Sequence, residues 1–267
     1  MSRIVLVTGA SSGIGRLAAE RFAREGAKVY AASRRARAPQ GCTGLAMDVD
    51  RDEAVSGAIG SVLAAEGRID AVVHCAGWGL AGAIEDCSPA EAQAQFETNF
   101  FGAHRVVRAA LPALRESKGT IVLVSSLAAG VPLPYQAFYS ASKAALTSYA
   151  EALRLELHPF GVRVACIAPG NFRTDFTGSR RRAAGWTAAS VHASRSEESV
   201  KWMEQDEVRA PPPDAVVAAI VRAVADADPK LHQVVVAQVF ERIGAALRQL
   251  LPQRLYLAIA RKVFRVS

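Results

Sequence analysis

Tyr139 and Lys143 stand four residues apart in the run Tyr139-Ser140-Ala141-Ser142-Lys143. On a helix that spacing puts both side chains on one face. A free phenol has a pKa of about 10, and a neighbouring ammonium stabilises the phenolate, which brings the group into range for proton transfer. Ser126 follows the apolar run Thr120–Ser125, which reads as a strand, and its hydroxyl can reach the same carbonyl oxygen. A Tyr–Lys pair alone is ordinary surface decoration on a helix. Its chemical weight here comes from the sequence that precedes it.

Near the start of the chain, Thr8-Gly9-Ala10-Ser11-Ser12-Gly13-Ile14-Gly15 lies between a strand-like and a helix-like segment. Gly9 permits a sharp turn, Gly13 lets backbone approach a pyrophosphate, and Gly15 lets the helix pack on the sheet. The helix N-terminus then offers free N–H groups to phosphate. The second strand ends in Ser33-Arg34-Arg35, without the carboxylate that would accept a ribose 2′-hydroxyl. Guanidinium groups there suit a 2′-phosphate, so NADP is the expected cofactor. The bland alternative is that Arg34, Arg35 and Arg37 solvate a loop.

The elements that must position these groups alternate along the chain. Strands are expected at Arg3–Val7, Lys28–Ala32, Gly44–Met47, Ile69–His74, Thr120–Ser125 and Val162–Ala168, with a last one at Val234-Val235-Val236. Helices are expected at Gly15–Glu25, Glu53–Glu66, Ala90–Glu116, Tyr139–His158 and, behind an Asp214 N-cap, Ala215–Ala225. Such alternation implies parallel strands joined by right-handed crossovers: an α/β, Rossmann-type doubly wound sheet with helices on both faces. Residues 1–239 form this unit. Within it, Asn171–Ala210 is polar and arginine-rich and reads as a loop with two short helices at most. Residues 240–267 form a basic amphipathic tail, two short helices broken at Pro252.

Composition narrows the function. The chain has 267 residues, 51 % hydrophobic and 21 % charged, with net charge +7. The arginines lack the aromatic interleaving of a nucleic-acid platform, so no nucleic-acid partner is expected. Cys42, Cys75, Cys87 and Cys166 show neither CxxC pairing nor ligand spacing, so neither disulfide nor metal is expected. With no leader-like opening and no apolar run of membrane-spanning length, a cytoplasmic location is expected.

These motifs in this order resemble the short-chain dehydrogenase/reductase family over roughly residues 3–236. The resemblance implies that Tyr139 is the general acid/base and that Ser126 polarises the substrate oxygen. It implies that Lys143 holds the nicotinamide ribose and lowers the tyrosine pKa, and that Asn99 completes a proton relay through water. It places adenine at Asp48-Val49 and the nicotinamide under Pro169-Gly170 and Thr174, and it implies a homodimer paired through the two long helices. One departure stands out. The family's usual Asn-Asn-Ala-Gly is here His74-Cys75-Ala76-Gly77, which keeps the close backbone approach at Cys75–Gly77 and loses two amides. His74 could be mistaken for a catalytic histidine, but strand-end packing fits it better.

The chain lacks the short glycine-rich terminus of carrier-protein ketoreductases. Its layout is similar to hydroxysteroid and retinol dehydrogenases, which implies a small lipophilic carbonyl or alcohol substrate. A carrier-bound β-ketoacyl reductase, with Arg180-Arg181-Arg182 meeting an acidic carrier, is the alternative. A cofactor-sensing protein without catalysis is a third possibility that Ser126, Tyr139 and Lys143 argue against. The tail is expected to help wall an apolar pocket; packing on a second subunit, peripheral contact with a membrane and packing on its own domain are the alternatives.

Overall fold

A computed structural model describes residues 2–266. Met1 and Ser267, the outer ends of the two expected regions, lie outside the described residues, as do the side chains of Val239, Phe240, Arg242, Ala245, Ala246 and Gln249 in the tail. The elements run β1 (Ile4–Thr8), α1 (Gly13–Arg24), β2 (Lys28–Ser33), β3 (Thr43–Ala46), α2 (Asp52–Glu66), β4 (Ala71–His74), β5 (Leu80–Ala81), α3 (Pro89–Phe96), α4 (Gly102–Ser117), β6 (Thr120–Val124) and α5 (Ala137–Leu157). They continue with β7 (Arg163–Pro169), α6 (Phe176–Ser179), β8 (Arg181–Arg182), α7 (Ala193–Arg209), α8 (Asp214–Ala225), β9 (His232–Val235), α9 (Val239–Leu250) and α10 (Gln253–Val263).

Seven parallel strands form one sheet in the order β3-β2-β1-β4-β6-β7-β9. The alternation hidden inside the apolar runs explains how the sheet is covered on both faces. Ile4 and Leu6 point into a core shared with α2, α4 and α5, while Val5 and Val7 join α1 and α8 on the other face. All five β1 residues are therefore buried, as a doubly wound sheet requires. Strand order reverses between β1 and β4, and in such sheets ligands bind outside the carboxyl ends at that switch.

Four expectations need correction. The long helix is interrupted: a π turn at Glu97–Phe101 separates α3 from α4, and Asn99 lies within it. Asp214 is the first residue of α8 rather than its cap, which is Pro213. The last strand starts two residues earlier than expected and ends at Val235. The largest difference lies in Asn171–Ala210, where the structure has the 17-residue α7 and a small separate pairing of β5 with β8. The inward face of α7 carries Ser196, Ser199, Val200 and Met203. That is helical spacing, but serines occupy two of the four positions, so the segment shows no apolar period. The two tail helices form as expected.

Candidate active site

The carboxyl ends of β1, β2, β4, β6 and β7 open into one cleft of about 470 Å³. Its lining includes Gly9, Ser11, Ser12, Gly13, Ile14 and Gly15 at the first turn, and Ser33, Arg34, Asp48 and Val49 at one end. Cys75, Ala76 and Gly77 follow β4, Ser126 follows β6, Tyr139 and Lys143 come from α5, and Pro169 ends β7 with Gly170 and Thr174 beyond it. The structure thus brings together all the expected site residues except two. Arg35 is exposed beyond the rim, and Asn99 is buried behind the wall.

The cleft floor fits a dinucleotide on its own geometry. Gly9 has φ +64°, and a β-carbon there would lie 2.7 Å from the Ala76 nitrogen, so backbone meets backbone where a ligand must come close. The N-terminus of α1 opens toward the cleft at Gly13. Its N–H is taken at 3.1 Å by the carboxylate of Asp175, an anion standing at the helix end where a phosphate is favoured. The hydroxyl of Ser33 is buried with no hydrogen-bond partner, beside the exposed guanidinium of Arg34. Such an unpaired polar atom is unusual in an interior and suits a ligand contact.

Around Tyr139, Lys143 and Asn99, burial dominates. The Tyr139 phenol is pushed up to about 12 by burial; the Ser126 hydroxyl acts against this, the Glu207 charge raises the value further and the Arg180 charge lowers it. The neighbours acting on the phenol are therefore Ser126, Glu207 and Arg180, rather than the lysine invoked from spacing. Lys143 donates to the Val124 carbonyl at 2.9 Å, and burial brings its ammonium down to about 8, opposed by the thiols of Cys75 and Cys166. Asn99 accepts from the Trp78 backbone N–H at 3.0 Å and donates to the Trp78 carbonyl and to Ser142. Its side chain is spent on holding Trp78 and α5 in place. His74 accepts or donates with Thr8 at 3.0 Å through Nδ1. Burial, with the charge of Lys143 adding to it, takes its imidazole down to about 3, so it packs as a neutral ring.

The wall above Tyr139 comes from Phe176, Trp78 and Glu207, which pattern reading missed, and from Arg180 and Arg181 of the run that it assigned to an acidic carrier. Phe176 packs on the Tyr139 ring with centroids 5.3 Å apart. Arg180, its side chain only 2 % exposed, pairs with Glu207 at 2.5 Å and Glu204 at 3.3 Å and donates to Gln136. Arg181 lies over the Trp78 ring at 4.2 Å, and Arg182 pairs with Glu197. Trp78 directly follows the Ala-Gly pair and could have been found from that position. Glu207 could not, because its helix was not legible. The expected walling of the pocket by the tail is not found: no tail residue lines this cleft among the described residues. Among them, too, no metal-ligand cluster is present, and no helix is long and apolar enough to cross a membrane.

A switch-point cleft with a glycine cradle and a Ser–Tyr–Lys set defines an oxidoreductase that uses a nicotinamide dinucleotide on CH–OH and C=O groups. The chain belongs to the short chain dehydrogenase family, whose pattern matches residues 3–185. It is 37 % identical over 229 residues to 3-ketodihydrosphingosine reductase of Bacteroides thetaiotaomicron, covering 85 % of each chain. It is 35 % identical over 193 residues to retinol dehydrogenase 8 of Homo sapiens, covering 66 % of this chain and 61 % of that one. A solved short-chain dehydrogenase from Streptomyces avermitilis superposes with a TM-score of 0.82 at 30 % identity, covering 100 % of this chain and 99 % of the other.

Proposed function

We propose that this chain is an NADPH-dependent reductase of a lipophilic ketone or aldehyde. The observation that carries this is the buried phenol of Tyr139, which lines the same cleft as Ser126 and Lys143 and whose burial favours the protonated form. A protonated donor suits reduction, in which the substrate oxygen must gain a proton. Bound NADPH would supply the hydride. Ser126 polarises the substrate oxygen, the Tyr139 hydroxyl delivers its proton, and the Lys143 ammonium, fixed by the Val124 carbonyl, holds the nicotinamide ribose. Asn99 keeps Trp78 and α5 in register around them.

Arg34, facing the cleft without an acid at the end of β2, supports NADP over NAD. Replacing Ser33 by Asp together with Arg34 by Ala should weaken NADPH about 10- to 100-fold and improve NADH, since a charged hydrogen bond is lost and a like charge gained. The wall mixes Trp78, Leu133 and Phe176 with Gln136 and Arg181, which suits an apolar chain bearing a polar head. The likeness to 3-ketodihydrosphingosine reductase and retinol dehydrogenase supports that class. The carrier-bound alternative loses ground, because Arg180 and Arg182 are committed to internal acids. A cytosolic homodimer paired through α4 and α5 completes the proposal; Phe101 just before α4 and Leu155 in α5 are 46 % and 77 % exposed.

A panel of long-chain ketones, apolar aldehydes, short ketones and a carrier-linked ketoacyl group, each followed by nicotinamide absorbance, tests the assignment. Turnover is expected to be fastest with NADPH and the long-chain carbonyls. Equal or better turnover with the carrier-linked substrate would refute it.

A further inference from the structure

The tail carries two exposed apolar stripes. In α9, Ile243 and Leu250 are 52 % and 78 % exposed; in α10, Leu255, Ile259 and Val263 are 50 %, 37 % and 44 % exposed. The α10 set recurs every four residues, so it forms a single stripe along that helix. The opposite contacts of α10 are satisfied: Tyr256 is buried, and Phe264 meets Trp202 of α7 edge to face at 6.0 Å. The stripe is therefore left over after the tail has packed on its own domain. Arg248, Arg254, Arg261 and Lys262 are also exposed. The one acid between residues 239 and 266, Glu241, is turned inward, where its carboxylate accepts the Asn171 N–H at 2.5 Å.

We propose that α9 and α10 form a docking surface for an anionic lipid bilayer. Exposed leucine and isoleucine beside cations that make no ion pair among the described residues is the composition of a helix that lies in the interface plane, with apolar side chains among the acyl chains and cations at the headgroups. A second copy of this chain is a poorer occupant, since a two-fold contact would set the same cations against one another. Glu241 ties the docked tail to Gly170–Asn171, at the rim of the active cleft, so the surface is joined to the substrate-binding end of the molecule. The purpose of such docking rests on the lipophilic-substrate reading above, although its geometry does not.

The test uses the full chain with NADPH and phosphatidylcholine vesicles, with and without phosphatidylglycerol. Partition onto the anionic vesicles alone is expected, weakening as salt rises. The pair Arg261→Gln and Lys262→Gln should lower partition about 30-fold, and Ile259→Ser with Val263→Ser should abolish it. Turnover of a water-soluble ketone should be unchanged in both variants. Equal binding to neutral vesicles, no binding at all, or variants that change subunit number instead of partition would overturn the proposal. A chain that binds vesicles but reduces no carbonyl would refute the proposed function and leave the docking surface standing.

Discussion

The floor of the cleft, at the carboxyl ends of β1, β4 and β6, is held by backbone and apolar contacts, whereas its roof, from Phe176 to Arg209, adds buried ion pairs to a small apolar cluster around Val200 and Met203. In the floor, a β-carbon on Gly15 would come within 2.5 Å of the Gly9 carbonyl oxygen, and the flanking strands are buried on both faces. In the roof, Arg180 sits between Glu204 and Glu207, and Thr177 donates to Glu207 at 2.6 Å. Close-packed backbone tolerates little change, so it suits a cofactor common to a whole family. Ion pairs can be rearranged residue by residue, which suits a substrate that differs from one member to the next.

The sharpest way to break this comparison is Arg180→Ala, which strips two roof carboxylates of their shared partner. Removing one member of a buried pair costs about 3–5 kcal/mol. A lower melting temperature is expected, with amide exchange rising over α6 and α7 while β1 and β4 stay protected. Uniform loss of protection would mean that floor and roof are one unit.

A second effect, of middle size, belongs to the floor. His74 titrates near 3 against an ordinary 6.5, so its native state resists protonation. Its contribution is fully present above pH 6.5 and is lost as pH falls from there toward 3, at up to about 1.4 kcal/mol per pH unit. In His74→Asn that slope should flatten by about one proton, measured as unfolding free energy against pH. An unchanged slope would mean that the ring is not held neutral.

The smallest effect sharpens the boundary between the two regions. Asp175 stands just before the roof, at the start of α6, and holds the Gly13 N–H of the floor. A carboxylate at a helix N-terminus is worth about 0.3–1 kcal/mol, so Asp175→Asn should tighten NADPH about 2- to 5-fold by calorimetry. Weaker binding would show instead that Asp175 helps to form the cofactor site.

The same division separates what was legible in the sequence from what was not. Gly9, Gly13 and Gly15 lie at fixed offsets after an apolar run, and Tyr139 and Lys143 share one helical turn, so spacing alone placed them. The roof offered no such regularity. Ser196 and Ser199 fill inward positions of α7 that pattern reading assigns to leucine, and β5 and β8 are two residues each. Glu207 reaches Arg180 only because α7 folds back over the cleft. Charge and spacing point to Lys143 acting on Tyr139, whereas in the fold burial, Ser126, Glu207 and Arg180 are the influences on the phenol.

The central claim is that the buried phenol of Tyr139 is the proton donor in a carbonyl reduction. Tyr139→Phe removes one oxygen and little else, so it separates chemistry from binding. With NADPH and the best carbonyl of the panel, kcat should fall by about 10²- to 10⁴-fold while NADPH affinity stays within about twofold. A variant that keeps most of its turnover would contradict that assignment.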